Sequence, residues 1–335
     1  MKSSAYKLKT AVKTATLLII SLTFLLMLPS CNAEPATAGS DSTSGVLTPS
    51  LRIVTSIIPT GEFIKKIGSE RVEVTVMVPE GADPHIYEPS PGQLKALSGA
   101  QIYAKLGSGL EFEIVWMDKL ISVNPGIFVL DLSKGIDPIY DSEEKSIREN
   151  NPAGNESRQP VGRAEKDSQN NFKKGADPHI WLSIKNTEII AENIFHALAE
   201  TDSEGESYYS SNLASFIKEL EALDSKIKSG LAGKINKKFI VYHPAWEYFA
   251  KDYGLTQITV EVQGKEPTGK EISSVISFAI ENNIKVIFAS PQFNPKSAEV
   301  IAKEIGGVVV FIDPLAPDYM KNMEIILKSF QQYLQ

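Results

Sequence analysis

From Ile53 onward the chain alternates short apolar runs with longer stretches whose apolar residues recur at spacings of three and four, the pattern of α/β layering. In the first half the runs predict strands at Ile53–Ser56, Val72–Val78, Gln101–Lys105 and Ile127–Leu130, with helices between them. The clearest helix start is Ser90-Pro91-Gly92-Gln93, where an N-cap serine, a proline at the first helical position and a glutamine three residues on form a capping box. His85 therefore lies in a loop between a strand and that helix.

The second half opens on two long amphipathic patterns. Ile184, Thr187, Ala191, Ile194 and Leu198 make one stripe, and Leu213, Phe216, Leu220, Leu223, Ile227 and Leu231 a longer one. At 1.5 Å per residue the second stripe runs for roughly 27 Å, long enough to join two lobes, and Gly230, Gly233 and Lys234 mark its end. Strands are then expected at Phe239–Tyr242, Gln257–Val260, Val286–Ala289 and Val308–Ile312. Thr268-Gly269-Lys270-Glu271 is a second capping box, and Asn294-Pro295 reads as an N-cap followed by the first helical position. The fold expected is α/β: two lobes with central, mostly parallel sheets joined by one long bridging helix. The lobes are expected at residues 51–205 and 234–335, with the bridge at 206–233.

The segment ahead of Ile53 is of another kind. Lys2, Lys7, Lys9 and Lys13 precede an apolar run from Ala15 to Leu28 with no acidic residue, which predicts a secretory signal over residues 1–30. A membrane-spanning helix is the competing reading, but the run has 14 residues against the roughly 20 that spanning requires. Cys31, the only cysteine, follows Leu28-Pro29-Ser30, so no internal disulfide can form. Its setting resembles the lipobox of prokaryotic lipoproteins, in which the thiol carries a diacylglycerol; a signal cleaved elsewhere would leave a free thiol instead. Residues 31–50, small and polar, read as a lipidated flexible tether at a membrane surface. Asp141 to Lys174 has few large apolar residues and is expected to be a disordered loop.

Removing the lysines of the signal takes the net charge from −7 to −11, with 30 basic residues facing 41 acidic ones. Nucleic acid is excluded as an expected partner, and the long-range field favours cations over anions.

The candidate chemistry rests on three of the four histidines. Gly81-Ala82-Asp83-Pro84-His85-Ile86 recurs letter for letter as Gly175-Ala176-Asp177-Pro178-His179-Ile180, and His243 is likewise followed by Pro244. In open α/β sheets ligands gather at the carboxyl ends of strands, which is where His85, His243 and Asp313 fall; His179 follows the polar loop and rests on its repeated motif alone. Neutral imidazole binds transition metals readily, and three imidazoles with one carboxylate fill a tetrahedral shell suited to Zn²⁺, whereas Mn²⁺ prefers more oxygen. Bland alternatives stand beside each residue. Any one histidine could be a surface or turn residue, Asp83 and Asp177 read as solvated or Asx-turn residues, Asp313 before Pro314 could be only a turn, and His196 lies off its helix stripe. No HExxH, phosphate loop, GxSxG or thiol nucleophile is present, and Pro244 separates His243 from Glu247.

Taken together, Val78-Pro79-Glu80-Gly81-Ala82-Asp83-Pro84-His85 with Tyr87-Glu88-Pro89-Ser90, Asp177-Pro178-His179-Ile180-Trp181-Leu182, His243-Pro244-Ala245-Trp246 and Asp313-Pro314-Leu315 resemble the zinc/manganese substrate-binding lipoproteins of ABC transporters, over about residues 51–335. That group includes zinc-uptake binding proteins and streptococcal surface lipoproteins once called adhesins. The resemblance implies two α/β lobes bridged by a rigid helix, with the ion held by His85 and His179 from the first lobe and His243 and Asp313 from the second. It implies a monomeric receptor that delivers the ion to a permease and, through it, an ATPase subunit, without catalysis. Histidine at 243, where manganese-type members tend to carry Glu, favours zinc. The absence of histidine from Asp141–Lys174 departs from many zinc members and puts a second, loop-borne site in doubt. The rival readings are an Mn²⁺ or Fe²⁺ receptor of the same family, an adhesin or receptor for a larger chelate, and a zinc hydrolase with water completing a three-histidine shell.

Overall fold

The structure, a computed structural model, describes residues 51–140, 172, 175–261 and 265–334. The signal, Cys31, the tether and nearly all of the 141–174 loop lie outside these residues. No helix among the described residues is long and apolar enough to cross a membrane.

The first lobe runs β1 (Leu51–Thr55), α1 (Ile58–Gly68), β2 (Val72–Val76), α2 (Pro91–Ser98), β3 (Ile102–Lys105), α3 (Glu111–Val123) and β4 (Phe128–Asp131). The long helices α4 (Ile184–Thr201) and α5 (Glu206–Leu231) follow. The second lobe runs β5 (Lys238–Val241), α6 (Glu247–Tyr253), β6 (Thr256–Thr259), α7 (Gly269–Glu281), β7 (Val286–Ala289), α8 (Lys296–Glu304), β8 (Val308–Phe311) and α9 (Tyr319–Tyr333). Each strand lies within two residues of its expected bounds.

The sheet orders are β2-β1-β3-β4 and β6-β5-β7-β8, so the two lobes share one topology. Every strand pair described is parallel, where the sequence led us to expect mostly parallel sheets; in register, Ile53 lies opposite Val74 and Ile102, and Ile240 opposite Ile258 and Ile287. Helices cover both faces of a parallel sheet, and the strands accordingly read as apolar runs: all four residues of β7 are buried.

Both capping boxes form. Ser90 with Gln93 starts α2, and Thr268 with Glu271 starts α7. The start of α8 differs from expectation, because Asn294 Oδ1 accepts from the Lys296 N–H and leaves Pro295 at the N-cap. Glu247 opens α6, so it shares no helix with His243.

Helix α5, 26 residues long, extends for about 39 Å and packs against α1 and α4 of the first lobe and α6 and α9 of the second. Phe216, Leu220, Leu223, Ile227 and Leu231 of its stripe are buried, while Leu213 is half-buried. The lobes also touch directly. The Trp181 indole N–H donates to the Pro314 carbonyl at 2.7 Å, the Tyr319 hydroxyl donates to the Trp181 carbonyl at 2.8 Å, and Ser183 Oγ donates to Asp252 Oδ2 at 2.5 Å. Glu62 of α1 caps the far lobe's α9, accepting from the backbone N–H groups of Asp318 and Tyr319, the latter at 2.7 Å.

That carboxylate satisfies two donors of a helix N-terminus and adds favourable charge there. Glu62→Ala is expected to lower the unfolding free energy by about 2 kcal/mol, read from urea denaturation of the metal-free protein. An unchanged midpoint and slope would mean that the cap carries no weight in lobe docking.

Candidate metal centre

The carboxyl ends of both sheets face a common cleft, and the loops leaving them supply the functional side chains. His85 lies between β2 and α2, His243 directly after β5, and Asp313 after β8. His179 sits at the end of the polar segment, just ahead of a 3-10 turn at Ile180–Leu182 that leads into α4. His179 and His243 are buried and His85 is half-buried, whereas His196 is exposed on α4, as its place off the stripe predicted.

The repeated hexapeptide repeats its geometry. Asp83 Oδ1 accepts from the His85 N–H and Asp177 Oδ1 from the His179 N–H, each at 2.9 Å. Proline between them has no N–H to compete, so the aspartate closes an Asx turn that fixes the backbone under each histidine. Asp313 does the same for Leu315 at 2.8 Å. The turn role expected for Asp83 and Asp177 is present, but a solvated Asp177 is not: it is buried, and its Oδ1 also meets His179 Nδ1 at 2.7 Å.

The three imidazoles converge. Ring centroids of His243 lie 5.0 Å from His85 and 5.2 Å from His179, and the Nε2 atoms of His179 and His243 stand 3.3 Å apart. Each Nδ1 faces a carboxylate: His85 meets Glu111 Oε2 at 3.1 Å, His179 meets Asp177, and His243 meets Glu261 Oε2 at 3.1 Å. A carboxylate can only accept, so the Nδ1 of His179 and of His243 carries the proton and Nε2 keeps its lone pair. Burial lowers the pKa of His243, and neighbouring His179 adds to the effect, which outweighs the opposing pull of Glu261 and keeps the ring neutral. For His85 burial works in the same direction, but contact with Glu111 prevails and its pKa is raised; Glu111 is lowered in return, against its own burial.

Two neutral Nε2 lone pairs at this distance repel, and a cation between them removes the repulsion. A tetrahedral Zn²⁺ with nitrogens about 2.0–2.1 Å away would separate two donors by about 3.3–3.4 Å. The donors therefore fit such an ion in type and in spacing. The carboxylates behind them supply the second layer that fixes tautomer and ring orientation in metal-binding histidines.

A small space of about 10 Å³ adjoins these rings, lined among others by His85, His179, His243, Trp181 and Gln292. It is of the order of one water or ion. Asp313 does not line it. Its Oδ1 is taken up by the Leu315 N–H and by Gln292 Nε2, both at 2.8 Å, so the structure brings three of the four expected ligands together and sets Gln292 beside them. Phe293 stacks on His243 at 4.5 Å, and it and His85 also line an open cavity of about 210 Å³ whose other walls include Asp83, Tyr242, Glu261, Lys265 and Glu266.

Glu111, Glu261, Gln292 and Phe293 were not among the residues expected at the site. The carboxyl-end rule would have flagged Glu261 after β6 and Gln292 and Phe293 after β7. Nothing in the sequence singles out Glu111, whose link to His85 is made only in the folded lobe.

Residues 53–333 match the family described as zinc-uptake complex component A, periplasmic. The high-affinity zinc uptake system protein ZnuA of Bacillus subtilis (strain 168) is 28% identical over 305 residues, covering 90% of this chain and 89% of that protein. The zinc-binding protein AdcA of Streptococcus pyogenes serotype M3 is 26% identical over 82% of this chain but 52% of its own length, so the chain spans about half of that relative. A solved ZnuA crystal structure is 38% identical with a TM-score of 0.74, covering 85% of this chain and 100% of that one. A ZnuA deletion mutant solved with zinc bound is also 38% identical, with a TM-score of 0.73 and coverage of 85% and 98%. With its two like-ordered sheets, its bridging helix and its match from Ile53 to Tyr333, the chain belongs to the family of the periplasmic component A of zinc-uptake complexes.

Proposed function

We propose that this protein captures Zn²⁺ outside the cytoplasm and hands it to an ABC permease, which an ATPase subunit drives. The observation that carries the reading is the convergence of three imidazoles, each with a carboxylate at Nδ1, and with two Nε2 atoms 3.3 Å apart. His85, His179 and His243 are the ligands, the first two from the first lobe and the third from the second; Asp313, the fourth ligand expected from the sequence, stands beside them in the second lobe, where its Oδ1 holds Gln292. Cargo held by donors from both lobes leaves when those donors separate. No covalent step is needed. The chain acts as a monomer, tethered to the membrane through lipidated Cys31, with residues 1–30 removed as a signal.

Nitrogen donors in this number suit zinc better than manganese, which takes more oxygen. A hydrolase would need a base beside a metal-bound water. The residues lining the small space include no carboxylate, and Glu111, Asp177 and Glu261 are each turned to an imidazole, which favours capture over catalysis. The open cavity beside Phe293 would serve as the route by which the ion arrives, its walls carrying Asp83, Glu261 and Glu266.

Competitive titration of the metal-free protein against a chelator of known affinity, with Zn²⁺ and Mn²⁺ in turn, tests the reading. One tightly held Zn²⁺ per chain, not displaced by excess Mn²⁺, is expected; no tight binding of either ion would overturn it. His243→Glu exchanges a nitrogen for a hard oxygen and should move the Zn²⁺/Mn²⁺ preference toward Mn²⁺, so an unchanged ratio of affinities would remove His243 from the ligand set. Glu261→Gln keeps the shape behind His243 while removing its charge. Zinc affinity in this variant is expected to fall about 10-fold, and a value equal to that of the parent would show that the carboxylate does not tune its imidazole.

A further inference from the structure

Gln292 lies on the loop after β7, next to Phe293, and lines the small space beside His85, His179 and His243. Its amide has two unlike ends. Nε2 donates to Asp313 Oδ1 at 2.8 Å, and because a carboxylate can only accept, this contact settles which end of the amide faces Asp313. Oε1 is the opposite end. It is buried and has no hydrogen-bond partner among the described residues. A buried carbonyl oxygen without a donor is costly, so its retention calls for a reason.

The partner it lacks is a donor. Among the described groups that line the space with it, His179 and His243 direct their N–H groups away, toward Asp177 and Glu261, and the Trp181 indole N–H is spent on Pro314. Meanwhile Asp313 Oδ1 is held in place by the Leu315 N–H as well as by Gln292. The carboxylate is thus pinned by its own Asx turn, and what it holds is the glutamine. A water bound to a cation is a strong O–H donor, and a space of about 10 Å³ is of single-water size.

We propose that Gln292 is a positioning residue for the cargo ion: Asp313 fixes its amide so that Oε1 accepts from a water occupying the ion's fourth position. This assignment rests on the three-histidine reading of the site. Asp313 acts on the ion through Gln292. The second lobe then contributes one direct ligand, His243, and one oriented acceptor, and the water is the group that exchanges when the ion arrives or leaves.

A double-mutant cycle in the full chain tests the relay, combining Gln292→Met with Asp313→Asn and reading Zn²⁺ affinity by chelator competition. Gln292→Met keeps the length of the side chain and removes both polar ends. It is expected to weaken Zn²⁺ about 10- to 100-fold. Asp313→Asn is expected to weaken the parent but to leave the Gln292→Met background within about two-fold, as it should if the carboxylate acts only through the amide. The second readout is the visible absorption of bound Co²⁺, which should respond to azide as the water is replaced; a merely structural glutamine would leave this response as it is in the parent, whereas Gln292→Met should alter it.

Parent-like affinity in Gln292→Met overturns the proposal, as does an Asp313→Asn loss of equal size in both backgrounds, which would make Asp313 a direct ligand. A parent Co²⁺ spectrum indifferent to azide overturns the water. Should Gln292→Met shift the melting temperature of the metal-free protein, Gln292→Leu, which likewise removes both polar ends, takes its place with the same expectations for the cycle. Failure of the parent itself to bind Zn²⁺ is a separate outcome, and it overturns the three-histidine site rather than the role of Gln292 within it.

Discussion

The contact on which the rest of the site depends is the one between Trp181 and Pro314. The indole that follows His179 by two residues donates to the carbonyl that follows Asp313 by one, so a segment of the first lobe and a turn of the second are joined beside the cleft. Around it the Tyr319 hydroxyl reaches the Trp181 carbonyl, Phe63 meets Tyr319 edge-on at 4.8 Å, and Glu62 caps α9. With the lobes held in this way the imidazole of His243 lies against those of His85 and His179, at ring-centroid distances of 5.0 and 5.2 Å. Helix α5 sets the span, and these contacts set the angle.

The electrostatic design follows from the cargo. Three imidazoles converge in front and the negative charge stands one layer back, on Glu111, Asp177 and Glu261, an order that suits the binding and release of a dication. Carboxylates in that second layer hold the rings in the binding tautomer without becoming hard oxygen ligands. Phe293, stacked on His243, keeps bulk water from one face of the ring.

Much of this was legible in the sequence, and the division is physical. Strands such as Val286–Ala289 are apolar runs buried on both faces, and capping boxes depend on residues three apart, so both are local signals. The Asp-Pro-His turns are local too, and the resemblance to metal-binding lipoproteins drew on them. What the sequence did not disclose are pairings made across the fold: His243 with Glu261, 18 residues away, and Asp313 with Gln292, 21 residues away. Asp313 illustrates the difference. Its Asx turn can be read from Asp-Pro-Leu, but its hold on Gln292 becomes visible only when β7 and β8 lie side by side. The buried Asp177 belongs with these cases, since its motif is shared with the more exposed Asp83 and only the surrounding lobe distinguishes them.

That the converging donors are divided between the two halves of the chain has a thermodynamic consequence. On the proposed three-histidine reading neither half offers the ion more than part of a shell, so affinity is a property of the finished, docked molecule. An ion bound only in that state stabilises it by linkage, and each tenfold rise in free ion above the dissociation constant adds about 1.4 kcal/mol. Cargo then works as a removable staple. Loaded and empty molecules differ in how readily they open locally, and proteases that act on opened chains would clear the empty ones first.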